Sequence, residues 1–277
     1  MLIDNYQLPI RIQPMLSLDK QNQWREIYRQ RRPKWRPATE VYADLVRTHL
    51  TTDTWLLDLG CGRGGLVEQL VAATVATVDE AAGRAVGYGQ TRWVGVDPDL
   101  ASLRAHRLAE LPRLAAVSDR LPFATASFDL IFCSWLLEHL QRPFLTFAEI
   151  GRVLRPGGVF IFITPNGRHP LALLNNSLGR VAQMQGWLVH SLYGRSAADA
   201  FPTTYQANNA DQLHKLAQAS GLQLTQLEAI PDPSYLAFHP LLFRVMCQFE
   251  ERLPASRKLH LVGVLQKNKA LKEFSWT

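Results

Sequence analysis

The sequence is short of several things, and each shortage narrows what the chain can be. It has three cysteines, at 61, 133 and 247, too few for a disulfide framework and too scattered for a metal motif. They are expected as small buried residues, and no metal is expected. No stretch approaches the roughly 20 uninterrupted apolar residues of a membrane span. The start, Met1-Leu2-Ile3-Asp4-Asn5, lacks the basic beginning and apolar run of a secretion signal, so a cytoplasmic location is expected. Internal repeats and low-complexity tracts are lacking too. What remains is 277 residues, 47% hydrophobic and 19% charged, enough for one large α/β domain or a domain with an added cap.

Acidic charge is scarce in one place. Six basic residues fall between Arg25 and Arg36 against a single acid, Glu26, in a chain whose formal charge is +6. With Trp24, Tyr28 and Trp35 interleaved, the segment has the composition of a nucleic-acid or anionic-lipid patch. The preferred reading is an amphipathic helix whose aromatics pack inward while its arginines face water, because nucleic-acid binders spread basic charge over a whole face.

The organising stretch is Trp55-Leu56-Leu57-Asp58-Leu59-Gly60-Cys61-Gly62-Arg63-Gly64-Gly65. Trp55 to Leu57 reads as a buried strand, stopped by glycines. Those at 60, 62 and 64 allow a sharp turn and a close approach to a ligand. Leu66, Val67, Leu70 and Val71 have helical spacing, so the turn opens a helix. Strand, glycine turn and helix begin a nucleotide-binding βαβ unit. Gly60-x-Gly62-x-x-Gly65 also satisfies the dinucleotide fingerprint. Asp58 helps to decide, because a carboxylate there would repel a pyrophosphate but suits a sulfonium or an α-ammonium group.

Further segments follow in order. Trp93-Val94-Gly95-Val96 is a strand ending in Asp97, 39 residues after Asp58 where about 20 is usual. The excess, residues 72–90, is expected as an extended helix end and a surface loop. A third strand near Ala115–Val117 leads to Ser118-Asp119-Arg120-Leu121-Pro122-Phe123. Ser127-Phe128-Asp129 precedes a strand over Leu130–Cys133, then Ser134-Trp135-Leu136-Leu137-Glu138-His139. Glu149 to Gly158 is a helix and a Leu-Arg-Pro-Gly-Gly turn before a strand over Val159–Ile163. The order resembles the class I S-adenosylmethionine (SAM)-dependent methyltransferases over about residues 54–166, in the broad set related to ubiquinone and menaquinone methyltransferases.

The resemblance implies a Rossmann-like, doubly wound α/β sheet and SAM as cofactor. It implies that Asp58, Gly60, Cys61, Gly62 and Gly64 hold the amino-acid end of SAM, Asp97 and Pro98 the ribose, and Asp119, Arg120 and Leu121 the adenine. Ser134 and Trp135 would lie beside the methionine. His139 is the one titratable base near the fourth strand, and His190 stands in a later insertion with Tyr193, Arg195 and Tyr205; both histidines are candidate bases beside a structural role. Residues 1–50 are expected as an N-terminal helical lid with Tyr28 and Trp35 as rim candidates, and with Thr39 capping its second helix. Residues 51–230 are expected as the SAM-binding domain, with an insertion at about 167–205 over the acceptor side. Residues 231–277 are expected as a C-terminal helical extension, basic and exposed from Lys258.

The function these features imply is methyl transfer (EC 2.1.1.-) by in-line displacement to a small-molecule acceptor. The alternatives are a catalytically inactive SAM-binding module and an NAD-dependent oxidoreductase using the same turn. No RNA-binding module is recognisable, so a nucleic-acid partner is not favoured. Peripheral membrane contact and a homodimer stay open through the apolar stretch Tyr235–Leu253.

Overall fold

The computed structural model describes residues 17–51, 53–70, 78–79, 84–85, 92–178 and 203–269. Seven strands make one sheet: β1 (Trp55–Leu59), β4 (Arg92–Asp97), β5 (Arg113–Ala115), β6 (Phe128–Ser134), β7 (Leu154–Pro165), β8 (Leu222–Ile230) and β9 (His260–Lys267). Their order is β5-β4-β1-β6-β7-β9-β8. The first five run parallel, and β9 enters antiparallel between β7 and β8. Parallel strands are covered on both faces, so β1 and β6 read as apolar runs rather than alternating ones.

Helices clothe the two faces. They are α1 (Leu18–Arg31), α2 (Ala38–Thr48), α3 (described over 66–70), α4 (Leu100–Arg104), α5 (Pro143–Val153), α6 (Pro170–Leu178), α7 (Ala210–Ala219) and α8 (Pro240–Arg252). On one face Phe147 and Ile150 of α5 and Leu213 of α7 pack with Phe160 and Phe162. On the other, Tyr42 and Val46 of α2 and Val67 and Leu70 of α3 pack with Phe132, Ile161 and Ile163. The doubly wound α/β architecture expected from the sequence is present.

Three expectations need correction. The described part of the expected helical extension over 231–277, residues 231–269, is not all helical: beyond α8 and a short 3-10 turn at Pro233–Leu236, His260–Lys267 is a strand of the main sheet. Its run Leu261–Leu265 is buried between β7 and β8, and Lys267 Nζ donates to Leu154 O (2.7 Å), so that lysine anchors the strand. The sheet therefore extends past residue 230. Second, α2 is capped by Pro37, with no side-chain cap bond, and Thr39 lies inside the helix. Proline's fixed φ, −57° here, already points the chain into the first turn. Third, the 72–90 excess contains the antiparallel pair β2 (Val78–Asp79) and β3 (Arg84–Ala85); the rest of it lies outside the described residues.

The basic N-terminal segment folds as its aromatic pattern suggested. Trp24 stacks on Phe243 of α8 at 4.5 Å, and Tyr28 meets Trp35 edge-on at 4.9 Å. Arg25 bridges to the buried Asp232 at 2.7 Å. α1 is thus clamped to the C-terminal cap, while α2 lies against the sheet.

Candidate active site

The carboxyl ends of the parallel strands share one edge, and the glycine turn leaves β1 there. Gly60, Gly62 and Gly64 have φ of +79°, +51° and +106°, a region that side-chain-bearing residues rarely enter. A Cβ on Gly62 would meet nothing within 4 Å, so open space lies over the turn. Underneath, Gly60 and Cys61 N–H both donate to Val96 O (2.8 and 3.1 Å). Gly62 N–H donates to Asp97 Oδ2 (2.9 Å), and Gly64 N–H to Cys61 O (2.9 Å). These four amides are committed to protein acceptors. The turn presents a smooth surface rather than the N–H cradle that a pyrophosphate requires.

Carboxylates dominate the electrostatics. Asp58 ends up buried on β1, and Asp97 closes the neighbouring β4. Burial, and then the nearby Asp97 charge, push the Asp58 carboxyl up to about 8. Such a site is poised to receive positive charge. Asp97 Oδ1 also accepts from Asp99 N–H (2.8 Å), while Asp99 caps α4 through Ala101 and Ser102 N–H. Asp97 therefore ties the glycine turn to the start of α4. Cys61 faces away from the open side. Its sulfur packs where a Cβ on Gly95 would come within 2.8 Å, and burial raises its thiol to about 12, so it is inert.

The other expected residues divide. Pro98 is exposed beside Asp97, and Arg120 is exposed beyond β5. Asp119 pairs with Arg142 (2.5 Å). Leu121 is turned into the core, and its N–H donates to Glu149 Oε2 (2.6 Å). Ser134 ends β6, and Trp135 follows with φ of +56°, held by its N–H to Ile163 O (3.0 Å). A tryptophan in that left-handed region is strained, a feature that concentrates at functional edges. His139 closes a 3-10 turn with Nε2 4.0 Å from Glu138 Oε1, at the same edge. His190, Tyr193 and Arg195 lie outside the described residues. Tyr28 and Trp35 sit in the α1–α8 cluster rather than beside the glycine turn.

Sequence reasoning missed a buried polar network at this edge. Glu138 Oε2 accepts from Thr164 Oγ1 (3.0 Å), which accepts from Asn208 Nδ2 (2.6 Å). His169 Nε2 donates to Glu250 Oε1 (3.1 Å); its Nδ1 accepts from Leu171 N–H, which fixes the tautomer. His260, first in β9, meets Trp135 edge-on at 5.1 Å. No local signal marks these pairs, whose members lie tens of residues apart in sequence.

The comparisons with known proteins bear on this arrangement. The family described as "Methyltransferase domain" matches residues 57–162, which run from within β1 through the glycine turn, Asp97, Asp119 and His139. Residues 57–162 are thus a methyltransferase domain. A demethylmenaquinone methyltransferase of Mycobacterium sp. (strain KMS) is 37% identical over 115 residues, 40% of this chain and 47% of that protein. The chain thus matches about half the length of that curated relative. Among solved structures, a SAM-dependent methyltransferase from Methanosarcina mazei aligns with a TM-score of 0.54 at 15% identity, covering 81% of this chain and 97% of that one. The cyclase SpnF aligns equally well, with a TM-score of 0.54 at 15% identity over 84% of this chain and 82% of that one. At such identities the likeness shows the fold alone.

Proposed function

We propose that the chain binds SAM at the carboxyl edge of β1 and β4 and transfers its methyl group to a small-molecule acceptor. The observation that carries this reading is the buried Asp58 under a glycine turn in which the amides of Gly60, Cys61, Gly62 and Gly64 are already taken. That pairing suits a cationic ligand and disfavours a dinucleotide pyrophosphate. Asp58 and the surface over Gly62 would hold the amino-acid end, Asp97 the ribose hydroxyls, and Asp119 the adenine amine once it loosens from Arg142. Leu121 would contribute by shaping the core beneath.

Bound SAM supplies an electrophilic methyl group; the chain supplies position and the exclusion of water, an effect worth on the order of 7–11 kcal/mol in well-oriented systems. A base adds to the rate only where the acceptor must lose a proton. His139, at the same edge, is the candidate for that step. A small acceptor is supported by the relative named for demethylmenaquinone. A cytoplasmic setting is supported by three free, buried cysteines.

The test is turnover. The chain is incubated with methyl-tritiated SAM and a fractionated small-molecule extract. Tritium entering an organic-extractable product, with S-adenosylhomocysteine formed in equal amount, is the expected outcome. SAM binding without any S-adenosylhomocysteine would support the inactive-module reading, which the cyclase on the same fold keeps relevant.

A further inference from the structure

A second concavity lies away from the glycine turn, where α1, the α1–α2 connection and the end of β8 meet. It is a shallow cleft, open to solvent, of about 760 Å³, lined by Tyr28, Arg31, Arg32, Pro33, Lys34, Trp35, Arg36, Val41 and residues 228–231. That volume falls within the range of small-molecule sites, roughly 300–1,000 Å³. Its floor is apolar and fixed. Tyr28 and Trp35 are buried, Trp35 Nε1 donates to Pro231 O (2.8 Å), and Ile230 packs into the core.

The rim is basic. Of the six cations between Arg25 and Arg36, four have structural partners: Arg25 with Asp232, Arg29 with Glu40, Arg32 with Glu251 and Arg36 with Asp44. Arg31 and Lys34 have no ion pair among the described residues, and both line the cleft. Glu228 is the one acid in its lining. Arg31 also suits the C-terminal end of α1, where a cation favours the helix dipole, but Lys34 lies beyond that end and has no such role.

We propose that this cleft binds a diffusible organic phosphate: an apolar stem lies on Tyr28, Trp35 and Ile230, and its anionic head meets Arg31 and Lys34. A guanidinium and an ammonium together match a phosphate's several acceptor oxygens. The site is concave and its aromatics are buried, so a free molecule fits it better than a bilayer, into which exposed aromatics would have to project.

The experiment is calorimetry on the full chain with octyl phosphate, 1-octanol and inorganic phosphate, and with sedimentation on phosphatidylglycerol vesicles. Octyl phosphate is expected to bind at least tenfold more tightly than either fragment. Arg31→Gln combined with Lys34→Gln, both at exposed positions, is expected to weaken it at least tenfold while leaving SAM affinity unchanged and lowering thermal stability only by the small helix-end contribution of Arg31. The proposal is overturned if inorganic phosphate binds as well as octyl phosphate, or if the double variant binds octyl phosphate undiminished. Vesicle capture that depends on Arg31 and Lys34 would overturn it in favour of a lipid surface. These readouts do not pass through methyl transfer, so failure of the SAM reading would leave them interpretable.

Discussion

Asp58→Asn separates the cost of the buried carboxylate from its use. In the ligand-free fold the group sits at about 8 against an ordinary 3.8. Its folded pKa is raised, so the folded chain holds a proton that the unfolded chain releases. Stability from this source is therefore full below about pH 4, is lost as pH climbs, and levels off above about 8. Between pH 5 and pH 8, three pH units at 1.36 kcal/mol each remove about 4 kcal/mol, a large share of a typical domain's stability. Asparagine keeps the shape and has no proton to release. Urea unfolding of the ligand-free proteins at both pH values should show the variant gaining about 4 kcal/mol on wild type across that interval. SAM affinity should do the opposite. A bound cation favours ionised Asp58, so binding releases a proton, and wild-type Kd should fall about tenfold per pH unit up to pH 8. In the variant, affinity should be weak and flat with pH. A constant stability gap between the two proteins, or a pH-independent wild-type Kd, would refute the reasoning.

Other outcomes follow from named contacts. Gly62→Ala forces a side chain into φ of +51° with no clash, so stability should drop by about 1–2 kcal/mol in urea, while calorimetry shows weaker SAM binding from a blocked surface. His260 is held down to about 4 by burial, so wild type should lose about 3 kcal/mol as pH falls from 6.5 to 4. His260→Phe keeps a ring against Trp135 and should abolish that acid-side loss in pH-dependent unfolding. Arg25→Met strands the buried Asp232 and should cost on the order of 3–5 kcal/mol, read as faster proteolytic cleavage within α1. In Gly151→Ala, the new methyl would collide with Ser220 O, where α5 crosses the end of α7. A loss of about 1–3 kcal/mol in thermal or urea unfolding is expected.

The motif-bearing half of the fold was legible because each signal there is local. Glycines at 60, 62 and 64 must turn, the apolar residues at 56–57 and 130–133 are buried, and Asp97 and Asp99 sit where a strand gives way to a capped helix. β9 was overlooked for the opposite reason. Leu261–Leu265 is only five residues long and is flanked by lysines, and what makes it a strand is pairing with β7, about a hundred residues earlier. Its apolar run was the available signal. The site followed the same division. The acids and glycines at 58–64 and 97 stand on one edge because each group lies where a strand of the sheet ends, despite the 39-residue separation. The pairs Glu138–Thr164, His169–Glu250 and Arg25–Asp232 join distant segments, and no window of sequence contains both members. Leu121 shows a limit of motif transfer: its place in the chain matched, while its side chain went to the core.

The account rests on a cationic adenosyl ligand at Asp58 and Asp97, and calorimetry with SAM, S-adenosylhomocysteine and NAD tests it most directly. The expected result is micromolar SAM binding, weakened by about 2–3 kcal/mol in Asp97→Ala through loss of charge-assisted hydrogen bonds, with NAD inert. No SAM binding at millimolar ligand, or NAD binding more tightly than SAM, would contradict it.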